Sequence, residues 1–315
     1  VSGSGALTTG GVTGGSVTLS GSNTHTGSVT VAAGKLILSG GSAVNDNSAV
    51  TISNASTLEL ASNETIGSLN GTVSNILILG SNTLTTGGNN SNTTFAGPIS
   101  GAGGGLTKIG SGTFTLSGNN TYTGATTVSA GGLTVNRVGG ALNDGTTVTV
   151  AAGASFTVAA DETIATLEGA GTVNLGTNTL RIGVSGSNSN FSGTINGSAI
   201  LEQDGTRTVT LSGSNNGASW STNVIDGTLS IAAGTNLGTG SVQLIGGTLS
   251  VTDNATLANA IPLSGGGGTV SVAAGKTVDL TGRITGGAGF TKAGVGVLAI
   301  KHTAANNNTN HVNVN

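Results

Sequence analysis

The stretch GLTKIGSGTFTLSGNNTYTGATTVSAGGLTV, residues 105–135, alternates apolar and polar residues in short runs that glycines separate. Strict alternation over a few residues is typical of a β-strand with one buried face, and the Val, Thr and Leu side chains fit a pleated, half-buried surface. Small residues and glycine mark the bends between such strands. The stretch therefore predicts short strands joined by tight bends.

This pattern recurs along the chain. Further versions begin at Gly15 and Gly205, and a shorter one begins at Gly289. Equivalent landmarks lie about 90–97 residues apart, which predicts modules at roughly 1–95, 96–191 and 192–286 and a partial fourth at 287–315. Stacked coils bury a common core that one coil cannot bury alone. We therefore predict an all-β, single-chain parallel β-solenoid that forms one continuous domain over residues 1–315, with essentially no α-helix.

Composition narrows the classes of function. The 315 residues include 58 glycines and no cysteine, only 7% are charged, and the net charge is −3. Nucleic-acid binding needs clustered cations, whereas the nine Lys and Arg residues are scattered. The sequence has no apolar run long enough to span a bilayer as a helix. We expect neither nucleic acid nor membrane insertion by this segment, and no disulfide.

The alternation also predicts which side chains form the core and which face solvent. Val148 and Val150 point to one side, and Phe156 and Val158 return to it after a bend. By the same argument the buried set includes Val29, Val31, Leu36 and Leu38. Lys35 is expected to be exposed at a bend.

Six residues define the repeat. His25 stands in NTHTG where Tyr122 stands in NTYTG, and Trp220 falls near the same place in the third module. A lone histidine can be a ligand or a base, but a position that accepts three different rings favours a packing corner. The bends of the second module contain the other three residues, Gly118, Gly124 and Gly131.

The sequence gives little support for a catalytic site or a metal-binding site. Asp161 and Glu162 are adjacent, so they would point to opposite faces of a strand, and a solvated turn is the favoured interpretation for them and for the matching Glu64. His302 and His311 flank a run of asparagines without an acidic ligand between them. We therefore expect no catalytic, cofactor-binding or metal-binding residues, no cofactor, and no enzymatic activity. Threonine arrays can order ice, but the modules drift in length, so the sequence does not favour this activity.

Several motifs carry a resemblance to a known family. These are the opening GLTK at residues 105–108, TLSG at 115–118, NTYTG at 120–124, the closing AGGL at 130–133 and the preceding FAGPISGAGG. Together they resemble the autotransporter-associated β-strand repeat of Gram-negative passenger domains. The resemblance implies a right-handed parallel β-helix that is exported to the bacterial cell surface, often within adhesins and long fibrous proteins.

The expected function is that of a non-catalytic extracellular structural protein, either a surface filament subunit or an adhesin stalk. The sequence at either end lacks the features of a cap, which fits either a segment of a much longer rod or subunits that stack end to end, because open coils favour association. Of these two accounts, the sequence favours stacked subunits. We expect copies to associate head to tail, with Val1, Val312 and Val314 as contacts. The alternative is an adhesin passenger domain that directly binds a glycan or a host protein, and Trp220 with Arg207 is its candidate contact.

Overall fold

The computed structural model describes residues 1–10, 14–215 and 217–302, together with the backbone of 312–314. The chain divides into two compact units, Val1–Glu162 and Thr163–Asn315, which we call unit 1 and unit 2. Each unit is a parallel β-solenoid. The continuity of the solenoid over residues 1–315 stays a prediction.

Unit 1 consists of short strands joined by bends and turns. They are β1 (Leu7–Thr9), β2 (Ser16–Ser20), β3 (Val29–Val31), β4 (Lys35–Ser39), β5 (Ala49–Ile52), β6 (Thr57–Leu60), β7 (Glu64–Ile66), β8 (Ser68–Gly71), β9 (Ile76–Ile78), β10 (Thr83–Thr86), β11 (Thr93–Phe95), β12 (Ile99–Ser100), β13 (Gly105–Lys108), β14 (Thr113–Leu116), β15 (Thr126–Val128), β16 (Gly132–Val135), β17 (Thr147–Val150) and β18 (Ser155–Val158). The next strand, β19 (Glu162–Ile164), begins at the last residue of the unit.

The strands of unit 1 stack into three sheets with the orders β1-β3-β5-β8-β11-β14-β16-β18, β2-β4-β6-β9-β12 and β7-β10-β13-β15-β17. Each strand pairs in parallel with the strand about 20 residues further on, so that Phe114 faces Leu133 and Leu106 faces Thr126. That distance along the chain is one coil of the solenoid.

Unit 2 repeats this arrangement. Its strands are β20 (Thr166–Gly169), β21 (Thr172–Asn174), β22 (Leu180–Ile182), β23 (Ser189–Phe191), β24 (Thr194–Asn196), β25 (Ile200–Gln203), β26 (Thr208–Leu211), β27 (Ser221–Val224), β28 (Thr228–Ile231), β29 (Val242–Leu244), β30 (Thr248–Val251), β31 (Ala255–Leu257), β32 (Ile261–Leu263), β33 (Gly268–Val272), β34 (Thr277–Leu280), β35 (Ile284–Gly286), β36 (Phe290–Ala293), β37 (Val297–Ile300) and β38 (Val312–Val314). They pair in the orders β20-β23-β26-β28-β30-β33-β36-β38, β22-β25-β27-β29-β32-β35, β31-β34-β37 and β21-β24.

The prediction of an all-β parallel solenoid is confirmed. Within the described residues, the one helical element is a 3-10 turn at Gly234–Asn236. The described part of the chain holds no helix that is long and apolar enough to cross a membrane.

The predicted core is confirmed as well. Every second side chain of a typical strand is buried, as in β17 and β18, where Val148, Val150, Phe156 and Val158 have at most 1% of their surface exposed. The other expected core residues, Val29, Val31, Leu36 and Leu38, are fully buried.

The expectation for Lys35 was partly wrong. This residue is the first of β4 and does not lie in a bend. Its side chain is 40% exposed because its Nζ lies 2.6 Å from Glu59 Oε2 on the adjacent strand β6. The ion pair thus partly covers the Lys35 side chain, which was expected to be exposed.

Candidate functional site

Tyr122 lies inside the corner that precedes β15 and is completely buried. Its Oη is 2.6 Å from Thr126 Oγ1, four residues further on. Burial raises the pKa of the Tyr122 phenol well above its ordinary value, since the phenolate would be desolvated. The phenol is thus a neutral, hydrogen-bonded packing group.

The corresponding rings of the other modules are buried too. His25 is 3% exposed, and its Nε2 has no hydrogen-bond partner among the described residues. Trp220 is fully buried, and its Nε1 donates to the carbonyl of Ile195 at 3.0 Å. The Trp220 indole is therefore not available as an aromatic platform for a glycan, which removes the aromatic half of the candidate contact with Arg207.

An asparagine two residues before each of the first two rings ties successive coils together. Asn120 Oδ1 accepts from the backbone N–H of Ile99 at 2.9 Å, and Asn120 Nδ2 donates to the carbonyl of Ala141 at 2.7 Å. Asn23 Nδ2 makes the same bond to Ala43 at 3.0 Å. The recurrence of NTYTG and NTHTG was the signal for this role, which the sequence analysis missed.

In the third module two asparagines form the corresponding hydrogen bonds between coils. Asn215 Oδ1 accepts from the N–H of Ile195 at 2.6 Å, and its Nδ2 donates to the carbonyl of Asn236 at 2.8 Å. Asn236 in turn donates to Gly213 at 2.9 Å. Side-chain amides suit this position because one group supplies both a donor and an acceptor.

Glu162 is buried, and so the favoured interpretation of a solvated turn was wrong. It begins β19, is 3% exposed, and accepts from the N–H groups of Ala141 at 2.8 Å and Leu142 at 3.2 Å. Its neighbour Asp161 is exposed, as expected for residues on opposite faces. The two carboxylates do not converge.

Glu64 repeats this arrangement in the first module. It is 2% exposed and accepts from the N–H of Val44 at 2.9 Å and of Ala43 at 3.2 Å. Burial raises the pKa of the Glu64 carboxyl, although the two N–H donors lower it, and Asp46 adds a smaller upward contribution. The raised pKa reflects incomplete compensation for the lost hydration.

These contacts combine into a recurring unit that we call the three-coil bridge. In the second module it runs from Asn120 through the backbone of Ala141 to Glu162. In the first it runs from Asn23 through the backbone of Ala43 to Glu64. Each bridge provides hydrogen-bond partners for main-chain groups at the bends of the coil. At these bends the backbone is not paired in a strand ladder.

A buried donor occupies a second recurring position. Lys108 is fully buried, and its Nζ donates to the carbonyls of Ile109 at 2.6 Å and Gly110 at 2.9 Å. Desolvation lowers the pKa of the Lys108 ammonium. Lys292 Nζ donates to Gly294, and Gln203 Nε2 donates to Gly205, in both cases two residues ahead. The shared KIG and KAG segments carried this signal in the sequence.

The three glycines of the second module lie where consecutive coils touch. A Cβ on Gly118 would collide with the carbonyl of Gly97, and one on Gly124 with that of Gly104. Gly131 has a φ of +62°, a conformation that glycine adopts without strain. Close approach and turn geometry thus explain why these positions lack a side chain.

The proposed end contacts are only partly described. Val1 is 59% exposed, and its ammonium group donates to Asn23 Oδ1 at 2.5 Å. The backbone of Val312 and Val314 belongs to β38, which pairs with β36, while their side chains lie outside the described residues. The role of these residues in self-association stays a prediction.

The structure places only one of the two histidines near the C-terminus. His302 is described, whereas His311 lies outside the described residues. Within the described part of the chain, no group of three His, Cys, Asp or Glu residues is placed to hold a metal ion.

Comparison with known families agrees with the repeat analysis. The passenger-associated-transport-repeat matches residues 14–43, 106–135 and 201–231. Each matched segment contains one of the three buried rings, His25, Tyr122 or Trp220. No curated protein and no solved structure matches the chain. Such repeats imply an autotransporter passenger domain that is secreted or displayed at the cell surface. Three segments of this β-solenoid thus match the passenger-associated-transport-repeat.

Proposed function

We propose that the chain is a non-catalytic, load-carrying segment of an extracellular passenger protein, either the stalk of an adhesin or a subunit of a surface filament. The three-coil bridge is the observation that carries this proposal. It places the two conspicuous carboxylates, Glu64 and Glu162, on backbone N–H groups in the interior, where they hold coils together.

The choice of buried groups supports the same role. The rings of Tyr122 and Trp220 and the ammonium of Lys108 are all buried and hydrogen-bonded within the coils. Catalytic groups normally line a concave site that a substrate can enter. In this chain the groups with the richest chemistry stabilise the coils.

Filament formation by head-to-tail contact belongs to the same proposal. Val17 in β2 is 44% exposed although it pairs with the buried Leu36, and in unit 2 Val297 and Ile300 of β37 are 56% and 45% exposed. Apolar side chains on strand edges favour pairing with another chain. Copies of this chain are therefore the proposed partners, in a non-closing arrangement.

Sedimentation velocity of the full chain tests the association. We expect the sedimentation coefficient to rise with concentration, and Val17→Lys to suppress the rise. Val138→Lys is the matched control, because Val138 is 91% exposed in a turn outside the strands. A monomer at every concentration, or equal behaviour of the two variants, would refute the filament.

A passenger domain that directly binds a glycan is the second candidate. The observation in its favour is a shallow polar groove in unit 1 of about 430 Å³, lined by Asn70, Asn92, Thr93, Thr94, Thr113 and Thr115. A glycan array probes both candidates at once. Saturable binding that Thr94→Lys abolishes would establish the adhesin, and turnover of any polysaccharide on the array would overturn the non-catalytic proposal.

A further inference from the structure

One sheet of unit 2 presents two straight rows of hydroxyl groups on its outer surface. Strands β26, β28, β30 and β33 pair without a slip, so that the first row is Thr208, Thr228, Thr248 and Thr269. The second row is Thr210, Ser230, Ser250 and Ser271. We call these eight residues the hydroxyl face.

The alternation of side chains directs all eight hydroxyl residues outward. The residues between the two rows, namely Val209, Leu229, Leu249 and Val270, are at most 2% exposed and fill the core. Strands in a sheet lie about 4.8 Å apart, and alternate residues on one strand are roughly 6.7 Å apart. The hydroxyl face is therefore a nearly rectangular grid with two fixed spacings.

The drift in module length does not disturb this grid. The bends take up the differences in coil length, as at Gly265 and Gly267, whose positive φ angles of +55° and +87° accommodate a longer loop before β33. Thr248 still pairs with Thr269, and Ser250 with Ser271. The sequence disfavoured an ordered threonine array because the modules vary in length. This reason does not hold for the hydroxyl face, since its strands keep their register.

The chemistry of the grid selects its ligand. Contacts that anchor protein partners are enriched in Trp, Tyr and Arg, and all eight positions of the hydroxyl face are instead Thr or Ser. A grid of uncharged hydroxyls with interspersed methyl groups holds water at regular positions through hydrogen bonds. Hexagonal ice repeats its oxygen atoms along two perpendicular axes at distances close to the two spacings of this grid. We propose that the hydroxyl face binds the surface of ice.

The outward rows of threonines through Thr107 and Thr134 belong to unit 1, and glycines interrupt them. This difference assigns the proposed ice binding to unit 2. Thr107 lies between Thr85 and Thr127 on adjacent strands, but Gly105 occupies the neighbouring outward position on its strand. Thr134 has Gly132 beside it in the same way. These rows are interrupted on one side, whereas both rows of the hydroxyl face are complete over four strands.

Inhibition of ice recrystallisation and thermal hysteresis, measured on the full chain, test the proposal. We expect the chain to slow the coarsening of ice grains and to hold a gap between the melting and freezing points. Thr248→Lys places a long charged side chain at the centre of the grid and should abolish both effects, and Thr228→Lys should do the same. Thr256→Lys is the matched control, since Thr256 is an exposed strand residue of unit 2 that pairs with Asp279 outside the hydroxyl face.

Circular dichroism establishes that each variant is folded, so that a loss of activity reports the surface. Activity that Thr248→Lys or Thr228→Lys removes and Thr256→Lys retains supports the proposal. An inactive parent chain, or equal activity of all folded variants, overturns it. Self-association that depends on Thr248 also overturns it, because the face would then bind a second copy.

Discussion

His25 and Tyr122 occupy the same corner of two repeats, but their polar atoms have different surroundings. The phenol of Tyr122 meets Thr126 four residues further on, whereas the residue four positions after His25 is Val29, which is buried. His25 Nε2 consequently lacks a partner among the described residues. The corner tolerates either ring because its shape, more than its hydrogen bonds, decides what fits.

Transplanting the Tyr–Thr pair into the first repeat should therefore stabilise unit 1. The double substitution His25→Tyr and Val29→Thr is expected to gain about 1 kcal/mol, the usual net value of a buried hydrogen bond. His25→Tyr alone should be less stable than the double variant, because its phenol hydroxyl would be buried beside the apolar Val29 without a partner. Chemical denaturation of both single variants and the double variant forms the cycle, and additive effects would contradict a Tyr–Thr bond at this corner.

The buried carboxyl of Glu64 makes the stability of unit 1 depend on pH. Because its pKa is raised above the ordinary value of 4.5, the folded state binds the proton more tightly than the unfolded state. Stability from this group is therefore greatest below pH 4.5 and falls as the pH rises through the raised pKa. In Glu64→Gln the loss of stability from pH 4.5 towards neutrality should be smaller than in the parent chain.

Measuring unfolding free energy against pH for the parent chain and Glu64→Gln isolates this group, since the other titrating residues contribute to both. Asp144→Asn, at an exposed acid of the same unit, is the matched control and should leave the slope unchanged. A Glu64→Gln profile that runs parallel to the parent profile would show that the raised pKa has no effect on stability.

At the scale of the element, strand β13 ends in an inward lysine and β25 in an inward glutamine, and β36 has an inward lysine one residue before its end. The first donates to the carbonyl two residues ahead, as do its counterparts Lys292 and Gln203. Strand ends leave carbonyls of the bend unpaired, so a buried donor at this place lets the strand stop without exposing its core. The type of donor matters less than its presence.

Lys108→Gln should accordingly be better tolerated than Lys108→Ala. Gln preserves a donor for Ile109 and Gly110, whereas Ala leaves buried carbonyls unpaired at a cost of about 1–3 kcal/mol. Thermal unfolding of the two variants provides the comparison. Lys276→Ala, at an exposed ion pair in unit 2, is the control and should change stability little. Equal losses for Gln and Ala would mean that the charge of Lys108 is what the site requires.

At the scale of the whole molecule, the strands of each coil pair with the strands of the adjacent coils. In repeat proteins of this kind, stability is close to a sum of coil terms and nearest-neighbour terms. Damage to one bridge should remain local because its hydrogen bonds join coils about 20 residues apart in the chain.

Asn120→Ala tests this locality through amide hydrogen exchange in unit 1. The N–H of Ile99 loses its acceptor, so its exchange and that of the adjoining coils should accelerate. Strand β5, several coils away, should keep its protection. Asn119→Ala is the control, because Asn119 is exposed beside the same corner. A uniform acceleration over unit 1 would instead indicate that the unit opens as one cooperative body.

The sequence by itself determined the class of fold, the repeat and the core. Alternation puts every second side chain on one face of a strand, so the burial of Val148, Val150, Phe156 and Val158 followed from their spacing alone. The GLTK, NTYTG and AGGL segments within residues 105–135 likewise predicted the family of repeat, and the matches at 14–43, 106–135 and 201–231 confirm it.

Only the tertiary structure decided what lies between the coils. From the sequence, Glu162 was expected to be a solvated acid. Its partners are instead the backbone N–H groups of Ala141 and Leu142, which belong to another coil. Because every residue except proline has such a group, the residue types at these positions do not reveal the contact. The straight rows through Thr228 and Thr248 depend on strand register, which the bends preserve although coil lengths vary. Main-chain hydrogen bonds and register arise from stacking, and a linear pattern of residue types contains neither.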